Sequence, residues 1–143
     1  MYKMEDSTHN KVKSQKPIAN SQKLDVNSQK PKAKNLCIIP ARGGSKRIPR
    51  KNIKNFLGKP IIAYSIEAAI KSKLFDEVMV STDDQEIAEI AQKYGAKVPF
   101  MRSKKNANDF ATTVDVLLEV IDNYKQSGEE FEYACCIYPT APL

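Results

Sequence analysis

The sequence predicts an α/β fold: a mostly parallel sheet with helices on both faces. Two observations predict it. Short apolar runs alternate along the chain with segments of helical spacing. The segments between those runs are also long enough to cross over and bring the runs back parallel. With 143 residues, the chain suffices for one domain of ordinary size.

The elements follow in order. Residues 36–41 (LCIIPA) form a short apolar run, read as a buried strand. Pro60 opens PIIAYSIEAAIKS, where Ile62, Ile66, Ala69 and Ile70 recur at helical spacing. Proline suits a first turn, where its missing N–H costs nothing. Residues 77–81 (EVMVS) are the second strand. The TDD that follows supplies an N-cap for a helix through Tyr94, ended by Gly95. Residues 97–101 (KVPFM) are a short third strand, near an edge because Pro99 cannot donate to a ladder. Thr112 or Thr113 caps a helix that Gly128 ends, and residues 133–138 (YACCIY) are the fourth strand. Ligands of such sheets bind at the carboxyl ends of the strands. That edge gathers the segments after residue 41, Ser81, Met101 and Tyr138.

Net charge is +6 but unevenly placed. Residues 1–35 carry eight Lys against three acidic residues. They also repeat SQK at Ser14, Ser21 and Ser28, and Pro17 and Pro31 break the seven-residue period that a coiled coil would need. We read 1–35 as a disordered basic tail with SQK heptapeptide repeats, and 36–143 as the folded part. Within the latter, residues 42–59 hold seven basic residues and no acid, so the rest of the body is net acidic. That distribution argues against a uniformly basic nucleic-acid-binding surface, as does the lack of aromatic residues interleaved with the cations, Phe56 apart. Three Cys, at 37, 135 and 136, lie in apolar runs without metal-ligand spacing and read as reduced, buried thiols of a cytosolic protein. No signal peptide or membrane span is read, so the expected location is the cytoplasm.

The chemistry concentrates in ARGGSKRIPRKN, residues 41–52, where five of twelve residues are basic. Glycines let backbone N–H groups approach a ligand, and Lys and Arg supply charge and a planar fork for phosphate oxygens. Such a loop is suited to a triphosphate. It is neither the ATPase phosphate loop, since no Gly-Lys-Ser/Thr occurs, nor the dinucleotide G-x-G-x-x-G. It is also too long to wrap a phosphate at the helix start. The alternative on composition alone is a solvated basic loop. Asp83 and Asp84, just before a helix, read as caps rather than a metal pair.

Taken together, IIPARGGSKRIPRKN, GKPIIAYSIEAA, FDEVMVSTDD, ATTVD and YPTAP resemble the acylneuraminate cytidylyltransferases, from about residue 36 to 143. RGGSKRIPRKNIK and IYPTAP lean toward members acting on pseudaminic acid, and Tyr138 stands where sialic acid members tend to carry Gln. The resemblance implies a Rossmann-like sheet of the nucleotide-diphospho-sugar transferase type, here truncated. It implies transfer of CMP from CTP to a nine-carbon keto-sugar acid (a nonulosonic acid), with release of pyrophosphate. By position, Arg42, Ser45 and Lys46 would hold the phosphates, with Arg42 and Lys46 catalytic and Ala41, Gly43 and Gly44 completing the loop. Lys51 would lie near the phosphates and Asn52 would read cytosine. Arg102, Ala111 and Thr113 would line the nucleotide site. Tyr138, Pro139 and Thr140 would meet the sugar acid. Mg²⁺ is implied as cofactor. Its ligands are expected in a later family segment that does not follow Leu143, so no residue here is assigned to metal. The same segment would carry a dimerisation arm, and with it a homodimer. The expectation is thus an N-terminal portion of such an enzyme. A catalytically inactive nucleotide-binding remnant and a sialic acid cytidylyltransferase are the alternatives. No membrane and no nucleic acid partner is expected.

Overall fold

The structure, a computed structural model, describes residues 33–140; the SQK repeats lie outside the described residues. The first strand, β1, spans Asn35–Pro40. A 3-10 turn at Lys51–Ile53 follows, then a small antiparallel hairpin of β2 (Asn55–Phe56) and β3 (Lys59–Pro60). Helix α1 (Ile61–Ser72), β4 (Glu77–Ser81), α2 (Gln85–Lys93), a second 3-10 turn (Lys104–Asn106), α3 (Thr113–Gln126) and β5 (Tyr133–Cys136) complete the described elements.

β1 lies at the centre of a three-stranded parallel sheet with β4 on one side and β5 on the other. Alternation along β1 builds two cores, because successive side chains of a strand point to opposite faces. Cys37 and Ile39 join Ala41 on one face, packed with Ile62, Ile66 and Ala69 of α1 and Ile87 and Ala91 of α2. Leu36 and Ile38 point the other way, against Val120 and Tyr124 of α3. Burying an Ile such as Ile62 or Ile66 stabilises the fold by about 1.5–3 kcal/mol. Helices thus cover both faces of the sheet, as the sequence predicts. The chain steps from β1 out to β4 and then back past β1 to β5. The point where that order reverses, at the carboxyl end of β1 between β1 and β5, is where open α/β sheets leave a crevice.

The helix ends form as their residues dictate. The Asp84 carboxylate accepts the Ile87 N–H at 3.1 Å and caps α2. Asp83 does not cap; it accepts the Gly43 N–H at 2.8 Å. Thr112 and Asp115 form a reciprocal capping box at the start of α3. Pro60 is the N-cap of α1 rather than its first residue.

Two expectations need correction, and one element is additional to those expected. Residues 97–101 do not form a strand. Lys97 alone bridges to Met79, and after Pro99, which has no N–H to give, pairing resumes only at Arg102, whose N–H reaches Thr82 O at 2.7 Å. The basic loop is not without structure of its own, since the hairpin interrupts it. Leu57 and Gly58 both take positive φ (48° and 93°), as a two-residue hairpin turn with primed geometry demands. Tyr64 ties that hairpin to α1 by donating to Phe56 O at 2.6 Å. Not all thiols are buried either. Cys37 is, and burial pushes it up to about 12. Cys135 is exposed because β5 is an edge strand and neither core cluster includes a β5 residue. Among the described residues no helix is long and apolar enough to cross a membrane.

Candidate active site

The crevice at the carboxyl end of β1 is lined by the residues that the sequence singles out. A cavity of about 250 Å³ is bounded by Arg42 and Ser45 after β1, Lys51 and Asn52 of the 3-10 turn, and Arg102. Ala111 and Thr113 at the start of α3, with Tyr138, Pro139 and Thr140 after β5, close its far side. A second cavity of about 610 Å³ shares Arg42, Ser45 and Lys51 with the first and adds Lys46 and Arg47. The two form one trough, cationic along the loop and polar where it meets α3.

Asn52 is buried and fixes the loop's path by donating from its side-chain amide to Arg42 O at 3.0 Å. Arg50 adopts a left-handed conformation (φ 55°) and pairs with Asp84 and Glu86 at the start of α2, clamping the loop to that helix. The guanidinium beside Asp84 holds that carboxyl below the usual range, against the effect of its own partial burial. Gly43 passes so close to α2 that a Cβ there would lie 2.6 Å from Asp84 Oδ2 and 2.8 Å from Asp84 Cβ. Its N–H is taken by Asp83, so this glycine serves approach to α2 rather than an open amide nest. Gly44 faces open space and is exposed. Ala41 is wholly buried in the core beneath the loop, so its side chain does not face the trough.

Arg102 is the most unusual charge in the molecule. It is only 8% exposed. Its guanidinium donates to Ser81 Oγ at 3.1 Å and Ser81 O at 2.6 Å, both neutral acceptors. Among the described residues it forms no ion pair, although burial works against its charged form. Only the Asp83 and Glu119 carboxylates, neither in direct contact, offset that burial, and a buried cation without a contacting anion is costly. It lines the cavity, where an anionic ligand could meet it. Across the cavity, Thr113 Oγ1 and the Tyr138 hydroxyl lie 3.2 Å apart, and Ser65 of α1 holds Tyr138 by donating to its carbonyl at 3.1 Å. Sequence reasoning missed Asp109. It sits between two loop cations, 2.6 Å from Arg42 Nη1 and 2.5 Å from Lys46 Nζ. Nothing in its run of turn-forming Asn residues signals that role. Arg50 was likewise not singled out within the basic stretch.

A groove of about 800 Å³ along α3 is larger than either cavity. Its charged lining is mostly acidic (Asp115, Glu119 and Asp122 against Lys105), which suits no phosphate.

A parallel sheet with helices on both faces and a cationic trough at its switch point defines an open α/β protein with a place for an anionic ligand. A sequence profile of the family described as Cytidylyltransferase matches residues 36–143, and the chain belongs to that family. It is 57% identical over 110 residues to the pseudaminic acid cytidylyltransferase of Campylobacter jejuni, covering 77% of this chain and 47% of that protein. The CMP-N,N'-diacetyllegionaminic acid synthase of Legionella pneumophila is 40% identical over 76% of this chain and 47% of its own length. The chain spans about half the length of the curated relatives it matches. Among solved structures, a CMP:2-keto-3-deoxy-manno-octonic acid synthetase complexed with CTP superposes with a TM-score of 0.64 at 31% identity, covering 77% of this chain and 42% of that one. A 4-diphosphocytidyl-2C-methyl-D-erythritol synthase, at 17% identity and a TM-score of 0.54 over 76% of this chain and 47% of that one, shows likeness of fold alone.

Proposed function

We propose that this chain binds CTP in the trough and forms the nucleotide-binding part of an enzyme that transfers CMP to a nonulosonic acid, pseudaminic acid first among them. The observation that carries the reading is the convergence of Arg42, Lys46, Arg47, Lys51 and the unpaired, buried Arg102 on one trough at the sheet's switch point. A triphosphate is the ligand such a set of cations suits. The identity to a pseudaminic acid cytidylyltransferase supports the choice of sugar acid.

In this reading the loop cations take the triphosphate, and Asn52 with the start of α3 takes the nucleoside. The sugar acid approaches from Tyr138, Pro139 and Thr140. Its anomeric hydroxyl attacks the α-phosphate, the bond to the bridging oxygen breaks, and pyrophosphate leaves. Arg42 and Lys46 neutralise the charge that grows on the leaving group, and the loop, anchored through Arg50 and Asn52, keeps nucleophile and phosphate aligned. Mg²⁺, which the family resemblance implies, does not fit the carboxylates described. No cluster of three candidate ligands occurs among the described residues. Asp83, Asp84 and Asp109 are each engaged with Gly43, Arg50 or the loop cations. A reaction that consumes CTP belongs in the cytoplasm, where we place the protein.

The test is calorimetric titration with CTP. Lys46→Ala and Arg42→Ala should each weaken binding by about 1–3 kcal/mol, the scale for losing a charged hydrogen-bond partner. Unchanged affinity in both variants would sink the phosphate assignment.

A further inference from the structure

The cavity over the basic loop holds four cationic side chains, Arg42, Lys46, Arg47 and Lys51, and a single carboxylate, Asp109. That carboxylate is itself solvent-exposed, yet it is held in place. Its two oxygens are divided between Arg42 Nη1 and Lys46 Nζ, at 2.6 and 2.5 Å. Each oxygen thus occupies a donor that a phosphate oxygen would otherwise take. Asp109 comes from a different part of the chain, 67 residues beyond Arg42, on the segment between the 3-10 turn Lys104–Asn106 and α3. Local structure does not force it there. The turn that carries it is held by its neighbour Asn108, whose side-chain oxygen accepts the N–H groups of Phe110 and Ala111, both at 2.9 Å. The two cations hold the Asp109 carboxyl below the usual range, Lys46 more than Arg42.

We propose that Asp109 is an exchangeable internal counter-anion: it occupies a phosphate position between Arg42 and Lys46 in the unliganded protein, and a polyphosphate ligand displaces it. The inference rests on the CTP-binding reading and adds a residue to which that reading gives no role. Physically, the cations need a partner when the site is empty, because several like charges on one loop repel each other. A tethered carboxylate provides one at high effective concentration. It carries one negative charge, so a chain of phosphates reaching Lys51 and Arg47 as well outcompetes it. When the phosphates leave, Asp109 returns and aids their release. The opposite role is also concrete: Asp109 could hold the two cations in position for the ligand and remain bound to them.

The two roles predict opposite signs. The 143-residue chain would be titrated with inorganic tripolyphosphate, without divalent cations, alongside Asp109→Asn. A displaced counter-anion predicts at least fivefold tighter binding by Asp109→Asn; equal or weaker binding overturns the proposal. A second measurement needs no variant. The Asp109 carboxyl, followed by carbon-13 NMR, should titrate below the ordinary Asp value of about 3.9 in the free protein, and at or above it with tripolyphosphate bound. A midpoint that stays depressed in the complex overturns the proposal too. The probe also separates this idea from the CTP reading. Equal affinity for CTP and UTP would remove the cytidine assignment and leave the exchange standing. CTP-selective binding with no gain in Asp109→Asn would do the reverse.

Discussion

At the scale of single residues, the basic loop divides into groups that face the trough and groups that hold the loop in place. Lys46, 83% exposed, and Arg42 reach outward toward the trough. Gly43 and Arg50 set the path of the backbone instead, one passing against α2 and one clamping to it, while Asn52 both spans the loop from within and lines the trough. Arg102 belongs to a third kind. It is buried, its guanidinium donates only to Ser81, and it forms no ion pair among the described residues, so its charge costs stability in the empty protein. Residues that serve a ligand at the expense of the fold leave a recognisable signature when removed. Arg102→Met should therefore leave the melting temperature unchanged or raised, while weakening CTP binding at least tenfold. A fall of several degrees with CTP affinity intact would make Arg102 a structural residue. Arg102 and Asp109 also mark two ends of what a sequence discloses. Arg102 was found through resemblance, since no composition rule distinguishes a buried arginine from a solvated one. Asp109 was missed because its partners lie 67 and 63 residues away.

Among the elements, those with strong periodic signals were legible. The three parallel strands and three helices fall where apolar alternation and caps place them, because burial and backbone satisfaction act locally there. The strand expected at 97–101 failed for a physical reason: Pro99 removes a donor, so only Lys97 and Arg102 engage β4 and its extension. The β2–β3 hairpin was not read, since its turn puts a leucine, Leu57, at positive φ where glycine or asparagine is the usual signal. The joint between the loop and α2 is electrostatic and gives a pH prediction. Asp84 is held below the usual carboxylate range by Arg50 and, secondarily, by the Ile87 N–H. A depressed carboxyl stabilises the fold fully above its unfolded value, about 3.9, and that contribution is lost as pH falls through the lower, folded value. The melting temperature should stay nearly flat from pH 7 to about 5 and drop below about 4. Asp109, Asp115 and Glu119 are depressed too and share in that drop. In Asp84→Asn, which keeps a capping oxygen but loses the charge, the drop should be shallower than in the wild type. An identical slope in both proteins would show that the Arg50–Asp84 joint does not contribute.

For the molecule as a whole, topology explains why residues scattered from 42 to 140 share one trough. β1 is central, the chain order reverses beside it, and the segments leaving β1 and β5 meet there with Arg102 and the start of α3. That convergence was legible because the alternation of strands and helices fixes which ends of the strands lie together. Which of the gathered side chains would touch each other was not, as Asp109 shows. The central claim is that this trough, and no other surface of the described chain, receives CTP. It is tested most directly by following backbone amide signals of the 143-residue protein by NMR as CTP is added. Saturable shifts are expected at residues 42–52, Arg102, residues 111–113 and Tyr138, with the groove along α3 at Leu118 and Asp122 undisturbed. Shifts confined to that groove, or none at millimolar CTP, would contradict it.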